Sequence, residues 1–477
     1  MNVRMSVYIL GFLTMFEGLF MVVPTITAAI YHEPEMLLFA CFSFGLLLAG
    51  FLITRFKPQN KNLFARDGFV IVAVSWILLS LFGALPMWIC GAIPEFVDAM
   101  FESVSGFTTT GASILHDLDS IPRCVLMWRS FMHWIGGMGV LVFIMAILPL
   151  AGGQNMYLMK AESPGPSVGK LVPRVRKTAF LLYAIYFVMT VIEFVLLLIG
   201  GMPVFDAINI SVATAGTGGF GVSNAGMMIY SPFCIWVVTV FMFLFGVNFT
   251  CYFLFLHKKF REGFNSELRV YLCIIAFAII TITMDIRHLF VNFKDAVMHS
   301  SFTIGSLMSS TGFSTVDFDI WPTYSRTLLV ILMFIGACAG STGGGIKVSR
   351  LIIMFKNMHN ELRVMTHPRQ IKKVKMDGQQ VEPEVIRSVS VYMVLYIMIY
   401  AVSMLILSFD HLDLTTNFTA VVATFNNIGP GLSQVGPTSN YDVYSAGSKC
   451  VLIFDMLAGR LELFPIILLL SPATWKK

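Results

Sequence analysis

The stretch FESVSGFTTTGASI, residues Phe101–Ile114, departs from the rest of this 477-residue chain. Its second half, Thr108–Ser113, is polar and β-prone, whereas the segments around it are apolar. Irregular polar backbone at membrane depth is tolerated only where protein or a water-filled cavity supplies hydrogen-bond partners. The stretch therefore predicts a polar path through an otherwise apolar protein.

Three further glycine-centred runs resemble this stretch. They are Ala215–Phe220 (AGTGGF), Ser309–Phe313 (SSTGF) and Asn426–Pro430 (NNIGP), and successive glycines lie roughly a hundred residues apart, beyond solenoid or propeller periods. Glycine lets a backbone turn its carbonyls inward without a side chain filling the space, and rings of carbonyls can replace the hydration shell of an ion. One such run would favour an ordinary turn. Four of them predict four walls of one pore.

The composition is that of a polytopic membrane protein. Hydrophobic residues make up 57% of the chain, charged residues 12%, and the mean hydropathy is +0.79. No cleavage site follows an initial short apolar region, so the first span is expected to be a retained helix and not a signal peptide. The eight cysteines are dispersed and indicate neither a disulfide framework nor a metal site. No H-E-x-x-H motif is present, and no enzyme active site is expected.

Lysine and arginine concentrate in alternate loops. The positive-inside rule places these loops and both termini in the cytoplasm. The intervening loops are acidic near the glycine runs, and an acidic outer mouth would concentrate cations. The basic positions are Arg4, Arg55, Lys57, Lys61, Arg66, Lys160, Lys170, Arg174, Arg176, Lys177, Lys258, Lys259, Arg261, Arg269, the run from Lys347 to Lys375, Lys476 and Lys477.

Apolar spans and half-length segments follow one another in a regular order. Two spans occupy residues 1–56, and the segments 69–150, 178–257, 267–357 and 386–477 each contain a span, a half-length segment, a glycine run and a second span. A half-length segment is too short to cross about 30 Å of hydrocarbon, which needs roughly 20 helical residues. We therefore expect an all-α membrane protein with four pseudo-symmetric helix–pore-helix–helix repeats around a central pore, plus two extra N-terminal transmembrane helices.

Only the second helix of the third repeat is expected to be interrupted, at GACAGSTGGGIK, residues Gly336–Lys347. Each glycine costs about 1 kcal/mol relative to alanine in a helix interior, so this segment should unwind. It lacks the Gly-Lys-Ser/Thr ending of a phosphate-binding P-loop. A flexible gate beneath the glycine runs is therefore expected, and a packing kink is the alternative. The candidate gate residues are Gly336, Gly340, Ser341, Thr342, Gly343, Gly344, Gly345 and Lys347.

Several ionisable residues lie within apolar spans. In the last span, Arg460 either places a positive charge beside the gate or pairs with Asp455 and Glu462. His133 has no second metal ligand nearby in the sequence, so a packed, hydrogen-bonded histidine is favoured over a proton or metal site. The sequence assigns no partner to Glu17 and no role to Glu193.

The motifs resemble those of the TrkH-like membrane subunit of Trk-type potassium uptake systems, within the Trk/Ktr/HKT superfamily. The resemblance is carried, in order, by SVSGFTTTGAS, HWIGGMGVLVFIMAILPL with AESPGP, TGGFG, STGFST, GSTGGGIK, NNIGPGL and LAGRLELF. It covers nearly the whole chain. The two extra N-terminal spans are similar to the Trk branch and unlike the shorter Ktr branch.

The resemblance implies a selectivity filter for K⁺, a homodimer in a bacterial inner membrane, and a cytosolic regulatory subunit that binds nucleotides. It implies no cofactor besides the transported ion and no nucleic-acid partner. Glycine rather than serine at the first filter position favours potassium over sodium, although the runs lack a full T-V-G-Y-G, so modest selectivity is expected. Carried onto this chain, the gate is Gly336–Lys347 with Arg460, and the filter residues are Thr109, Thr110, Gly111, Thr217, Gly218, Gly219, Ser310, Thr311, Gly312, Asn427, Ile428 and Gly429.

The expected function is uptake of dehydrated K⁺ down its electrochemical gradient. The membrane potential supplies about 2.3 kcal/mol per charge per 100 mV for this movement. A K⁺ symporter coupled to H⁺ or Na⁺ is the alternative, because broken helices and buried charges also occur at the binding sites of coupled transporters. The sequence does not separate these two mechanisms.

Overall fold

The computed structural model describes residues 2–60, 63–147, 175–367 and 373–475. Within these ranges the regular structure is helical, apart from one antiparallel hairpin of β1 (Lys375–Met376) and β2 (Gln379–Gln380). Some predicted features lie outside the described residues: Lys61, Lys160, Lys170, Arg174, Lys476 and Lys477, the AESPGP motif, and residues 148–150 of the first repeat.

The N-terminal part is a helical hairpin. Helices α1 (Val3–Phe20) and α2 (Val22–Tyr31) form one kinked span, and α3 (Met36–Thr54) packs along it. The kink comes just before Pro24, which has no N–H to donate to the preceding turn. Close packing of α1 on α3 is possible because a Cβ on Gly18 would lie 2.8 Å from the carbonyl oxygen of Ser43.

From residue 65 onward, a long helix, a short helix and a second long helix follow one another four times. The first set is α4 (Ala65–Ile89), α5 (Phe96–Phe107) and α6 (Arg123–Ile147). The second is α7 (Val175–Ile199), α8 (Val204–Gly216) and the pair α9 (Pro232–Phe245) and α10 (Phe249–Leu256), followed by α11 (Phe260–Gly263). The third is α12 (Ser266–Ile286), α13 (Phe293–Met308) and the pair α14 (Thr323–Ile335) and α15 (Val348–Thr366). The fourth is α16 (Pro383–Leu407), α17 (Leu414–Phe425) and the pair α18 (Ala446–Arg460) and α19 (Phe464–Leu470), followed by α20 (Pro472–Trp475).

Short 3₁₀ turns lie in the connections between these helices. They are Gly226–Ile229, Arg287–Leu289, Phe318–Ile320, Ser408–Asp410, Ser433–Val435 and Tyr441–Val443. Each lies next to a short helix or just before the long helix that follows it. The connections that contain these turns therefore have regular local structure.

Length and composition make the chain a multi-span membrane protein. In the described ranges, six helical spans are long and apolar enough to cross a membrane, and α9 with α10 would make a seventh if the bent pair is one span. In the spans that contain α3 and α16, only 22% of the most apolar stretch is buried inside the protein. Apolar side chains such as Phe44 and Leu405 are correspondingly exposed, which is expected where the surrounding solvent is lipid. The prediction of an all-helical membrane protein is confirmed.

The four short helices are the most enclosed elements. The residues that form their C-terminal halves are buried: Phe101–Phe107 in α5, Asn209–Gly216 in α8, Ser300–Met308 in α13 and Thr419–Phe425 in α17. They are 12, 13, 16 and 12 residues long, too short to span a bilayer alone. The long helices surround them, so their C-terminal ends meet inside the protein.

The second long helix of the second set is broken, which sequence analysis did not predict. Helices α9 and α10 meet at an angle of 91° across Gly246–Asn248, so the expectation of an uninterrupted second span in segment 178–257 is wrong. The Asn248 side chain accepts a hydrogen bond from Thr250 N at 2.8 Å and so begins a new helix. A helix-ending glycine two residues before an N-cap asparagine was the sequence signal for this break.

The last span is broken as well. Glu462 and Leu463 have left-handed backbone conformations, with φ of 54° and 69°, so the expectation of an uninterrupted second span in segment 386–477 is wrong. Leu463 N donates to Ala458 O at 2.9 Å, which closes the end of α18. Pro465 lies in the first turn of α19, where a proline is tolerated because no helical partner is needed for its missing N–H.

Candidate functional site

The polar runs that follow the four short helices begin with the same hydrogen-bonded turn. In each run an N–H reaches back five residues to a helix carbonyl: Thr110 to Ser105 at 2.9 Å, Gly218 to Ala213 at 3.0 Å, Thr311 to Ser306 at 2.8 Å and Ile428 to Ala423 at 2.8 Å. This is the Schellman geometry, in which a left-handed residue ends a helix. It orients each run in the same way with respect to its helix.

Each run has left-handed backbone at two alternate positions. The φ angles are 57° and 77° at Thr109 and Gly111, 54° and 75° at Thr217 and Gly219, 59° and 85° at Ser310 and Gly312, and 53° and 101° at Asn427 and Gly429. The left-handed region is costly for a residue with a Cβ, yet the first position is never glycine. Such strain persists only where the surroundings impose it, and it concentrates at functional sites.

The four glycines and four carbonyl groups form a closed ring. A Cβ added to Gly111 would lie 1.9 Å from the carbonyl oxygen of Gly218, and a Cβ added to Gly219 would lie 1.8 Å from that of Thr311. A Cβ added to Gly312 would lie 2.3 Å from the carbonyl oxygen of Ile428, and a Cβ added to Gly429 would lie 2.7 Å from that of Thr110. Each glycine thus faces the carbonyl of the residue before the next glycine, and the fourth run returns to the first. The structure brings all four predicted runs together.

Side-chain hydrogen bonds connect the runs to one another. Asn427 donates through Nδ2 to Thr110 Oγ1 at 3.0 Å, which joins the fourth run to the first, and to Met456 O at 2.9 Å. The Tyr441 hydroxyl donates to Gly429 O at 2.7 Å. The Asn427 amide and the Tyr441 hydroxyl therefore bind neighbouring protein groups and hold the runs in place.

A buried ion pair lies behind the first run, and sequence analysis missed it. Arg129 Nε donates to Glu102 Oε1 at 2.7 Å, and the two side chains are 1% and 0% exposed. Glu102 also accepts from Ile114 N at 3.1 Å and from Ser113 Oγ at 3.0 Å, so the pair anchors the end of the run. The arginine lies 4.1 Å from the ring centre of Phe220, beside the second run. Two charged residues inside apolar segments were the available signal.

His133 is a packed, hydrogen-bonded side chain, as expected. It is fully buried, with Nδ1 2.8 Å from Gly106 O, and Phe220 N donates to Nε2 at 3.2 Å. These partners assign the proton of the neutral ring to Nδ1. The histidine thus ties the end of α5 to the second run, and both of its nitrogens are occupied by protein groups.

The predicted gate segment lies directly against two of the runs. Gly344 N donates to Ser310 Oγ at 2.6 Å. A Cβ on Gly344 would lie 2.0 Å from Asn426 O, and one on Gly343 would lie 2.6 Å from Ser309 O. Only glycine permits this approach to the ends of α13 and α17. The segment therefore occupies the space beneath the third and fourth runs.

Arg460 connects the gate segment to the first repeat. Its guanidinium donates to Thr342 O at 2.9 Å and to Gly136 O of α6 at 2.6 Å. The carboxylates that sequence analysis considered as its partners bind elsewhere, since Glu462 pairs with Arg350 and Asp455 accepts from Ser403 Oγ at 2.7 Å. The geometry agrees with a positive charge placed beside the segment. Lys347, at its end, donates to Gly343 O.

The break between α9 and α10 is hydrogen-bonded to the same segment. Cys338 N donates to Gly246 O at 3.0 Å, and Phe249 N donates to Gly340 O at 3.1 Å. Two interrupted helices therefore satisfy each other's free backbone groups, which a membrane interior requires. The sequence identified one of these breaks and not its partner.

Acidic residues lie at the starts of the short helices, and their opposite ends point to the ring. Asp413 is the N-cap of α17 and accepts from Thr416 N at 3.1 Å. Asp98, Asp206 and Asp295 lie in the first turns of α5, α8 and α13 and are not side-chain caps. A carboxylate in the first turn still suits the positive end of the helix dipole. The negative helix ends favour a cation at the ring.

Asp442 belongs to an ion-pair network outside the ring, which gives a testable pH dependence. It lies 2.8 Å from Lys449 Nζ and 2.9 Å from His116 Nε2, and these hydrogen bonds, chiefly that from Lys449, lower the pKa of the Asp442 carboxyl. A lowered folded-state pKa stabilises the protein above the unfolded pKa, and this contribution is lost as the pH falls through the folded pKa.

We expect Asp442→Asn to lower the thermal unfolding temperature at pH 7 and to have a smaller effect at pH 3, because the contribution of the carboxylate is lost as the pH falls through its lowered folded-state pKa. Solvent screening at this 40%-exposed side chain keeps the effect below about 1 kcal/mol. Thermal unfolding of purified protein at both pH values measures it, with the exposed Glu384→Gln as the control. An equal effect at pH 3 and pH 7 would exclude an electrostatic origin.

Comparison with known proteins identifies the family. The profile of the TrkH family, described as a cation transport protein, matches residues 35–477. The Trk system potassium uptake protein TrkG of Escherichia coli K12 is 34% identical over 482 residues, which cover 100% of this chain and 99% of TrkG. TrkH of Vibrio parahaemolyticus is 34% identical over 487 residues, with both chains fully covered.

A solved structure agrees over the full length. The crystal structure of the potassium transporter TrkH from Vibrio parahaemolyticus superposes with a TM-score of 0.89 at 32% identity, and each chain is covered completely. The resemblance inferred from the sequence motifs is thereby confirmed. The chain belongs to the TrkH family of cation transport proteins, which are multi-span membrane transporters and not enzymes.

Proposed function

We propose that this chain carries K⁺ into the cell through a central pore formed by four pseudo-symmetric helix–pore-helix–helix repeats, within segments 69–150, 178–257, 267–357 and 386–477. The closed ring of glycine–carbonyl contacts is the observation that carries the proposal. The names of the relatives, Trk system potassium uptake proteins, supply the ion.

The selectivity filter of this proposal consists of the four runs. The oxygens of Thr110, Gly218, Thr311 and Ile428 face the ring, and none of the twelve predicted filter residues has a carboxylate. Neutral carbonyl oxygens can replace the hydration shell of K⁺ without holding it too tightly to leave. The negative ends of four helices add attraction for a cation.

The gate of this proposal is the Gly336–Lys347 loop with Arg460. The loop lies against Ser310 and Asn426, at the inner ends of two runs, and Arg460 binds its Thr342 carbonyl. Loop closure would block the path beneath the filter, and the arginine would repel a cation there. The contacts with the α9–α10 break support a loop that has a defined closed position.

The assembly is proposed from the family and from the charge pattern. Both termini and the basic loops lie in the cytoplasm of a bacterial inner membrane under the positive-inside rule. Two copies form a homodimer, and a cytosolic nucleotide-binding subunit regulates the gate. The G-x-G-x-x-G spacing at Gly216–Gly221 begins at the end of helix α8 and not after a strand, so it is not a dinucleotide-binding fingerprint, and nucleotide control requires that partner.

A proton-coupled K⁺ symporter is the second candidate, and Glu17 is the observation that favours it. This carboxylate is 1% exposed, and in the described part of the chain neither of its oxygens has a hydrogen-bond partner. It borders a cavity of about 40 Å³ lined also by Trp76, Phe107 and Gly136. A buried carboxyl group at membrane depth is a candidate proton site.

Uptake of ⁸⁶Rb⁺ into proteoliposomes tests the filter. Gly111→Ser would force a Cβ to 1.9 Å from Gly218 O, so we expect uptake to fall about tenfold or more, with the preference for K⁺ over Na⁺ lost. Gly91→Ser is the matched control, because Gly91 has the same φ of 77° but no atom within 4 Å of an added Cβ. Uptake that is robust and indifferent to Gly111→Ser would refute the filter.

The reversal potential separates the two candidates. A K⁺ channel reverses at the K⁺ equilibrium potential at every pH, whereas a proton-coupled carrier reverses away from it when a pH gradient is imposed. In the second case, Glu17→Gln should abolish the shift. Glu17→Gln keeps the size of the side chain and removes only its ability to ionise.

A further inference from the structure

We propose that Glu267 is a clamp that holds the Gly336–Lys347 loop closed, and that the hairpin of β1 and β2 positions this clamp from the predicted cytoplasmic surface. The inference rests on the proposed gating role of the loop and adds its regulation. None of the gate residues predicted from the sequence belongs to the clamp or to the hairpin.

One oxygen atom of Glu267 binds both the loop and the helix that follows it. Glu267 Oε1 accepts from Ala339 N, within the loop, at 2.7 Å and from Ser349 N, in the first turn of α15, at 3.0 Å. The N–H groups at the start of a helix have no partner within that helix. Glu267 therefore caps α15 from a different helix, α12, and holds the loop in the same contact.

The clamp is buried among charged groups. Glu267 is 4% exposed, and the nearby Lys347, which ends the loop, is 3% exposed. Arg350 lies one turn further along α15 and is paired with Glu462. A buried carboxylate is tolerated where it is hydrogen-bonded and faces positive charge, and both conditions hold only while the loop stays in place.

The hairpin is hydrogen-bonded to Ser266, the residue that precedes Glu267. Asp377, in the turn between β1 and β2, accepts through Oδ1 from both Ser266 N and Ser266 Oγ at 2.7 Å. Ser266 is the first residue of α12 and directly precedes Glu267. A displacement of the hairpin therefore acts on the backbone that carries the clamp.

The hairpin is a packed unit and not a loose connection. Val374, Met376 and Val381 are buried in a small cluster with Ile353 of α15 and Val389 of α16. Lys356 Nζ also donates to Lys375 O at 2.9 Å, which joins the hairpin to α15 a second time. The exposed residues of the hairpin are Lys375, Asp377, Gly378, Gln379 and Gln380. The hairpin thus connects an exposed surface to α15, which follows the loop, and to the start of α12, which carries Glu267.

Reactivity of Cys338 reports loop position independently of transport. Cys338 lies in the loop and is 1% exposed, so a protein in which it is the sole remaining cysteine should react slowly with a small maleimide. Losing the clamp bonds should raise its labelling rate about fivefold or more in Glu267→Ala and in Asp377→Ala. Basal ⁸⁶Rb⁺ uptake by the full chain in proteoliposomes should rise in the same variants.

Matched variants isolate the hydrogen bonds. Glu267→Gln and Asp377→Asn each keep an acceptor oxygen, so their labelling rates should stay near that of the parent protein. Glu361→Ala removes an exposed carboxylate from α15 and should have no effect. Asp377 is exposed, so its alanine variant tests the proposal even where Glu267→Ala does not fold.

The outcomes are distinguishable from failure of the proposed function. Unchanged Cys338 labelling in Asp377→Ala, or an equal increase in Asp377→Asn, would overturn the clamp. If Cys338 labelling increases but uptake is unaffected by Gly111→Ser, the proposed pore is refuted. The contact between Glu267 and the loop would then be structural and would not control transport. Increased labelling together with increased, filter-dependent uptake is the result that we expect.

Discussion

Replacing Arg129 with methionine is expected to lower the free energy of unfolding by about 3–5 kcal/mol, because it leaves the Glu102 carboxylate buried without its partner. Both side chains are almost completely buried, and the carboxylate also anchors Ser113 and Ile114 at the end of the first run. The same variant should also show a weaker preference for Rb⁺ over Na⁺ in uptake. Thermal or denaturant unfolding of the purified protein and competition in ⁸⁶Rb⁺ uptake measure the two effects.

A double variant separates charge burial from general damage. Arg129→Met combined with Glu102→Leu removes both charges, so it should be less destabilised than Arg129→Met alone. Arg123→Met is the matched control in the same helix: its guanidinium lies 4.3 Å from the ring centre of Tyr31, and its loss should cost about 1 kcal/mol or less. If Arg129→Met unfolds like the parent protein, the pair does not support the filter.

Replacing Arg460 with alanine is expected to raise ⁸⁶Rb⁺ uptake about tenfold. The variant removes the bonds to Thr342 O and Gly136 O, and hydrogen bonds from a charged donor contribute about 1.5–3 kcal/mol each. A loss of about 1.4 kcal/mol from the closed position already shifts the loop equilibrium tenfold. Removing the positive charge also lowers the barrier to a cation beneath the filter.

Arg460→Lys distinguishes these two causes. Lysine keeps the positive charge but lacks the planar fork that reaches two separated carbonyls. High uptake in both variants would indicate that the connection between the loop and α6 matters, whereas high uptake in Arg460→Ala alone would indicate the charge. Arg363→Ala, at an exposed position of α15, is the control. Unchanged uptake by well-folded Arg460→Ala protein would contradict a gating role.

The order of the helices could be predicted from the sequence, whereas the breaks within the long helices could be predicted only in part. Length decided which apolar segments could span a membrane, and four short segments before glycine runs were correctly placed as short helices. The interruption at Gly336–Lys347 was visible because its glycines are many. Gly246–Asn248 and Leu461–Leu463 were missed because each contains few helix-breaking residues inside a long apolar run. Pro465 and the Gly-Val-Asn sequence were usable signals.

The sequence by itself determined the membrane class, the family and the identity of the four runs, because hydropathy, length and glycine position are local properties of a chain. Only the tertiary structure decided which groups meet. The ring that links Gly111 to Gly218, the Arg129–Glu102 pair and the contact of Glu267 with Ala339 join residues far apart in the sequence. Such contacts depend on how helices pack around one another, and backbone groups freed by a broken helix bind whichever partner that packing supplies.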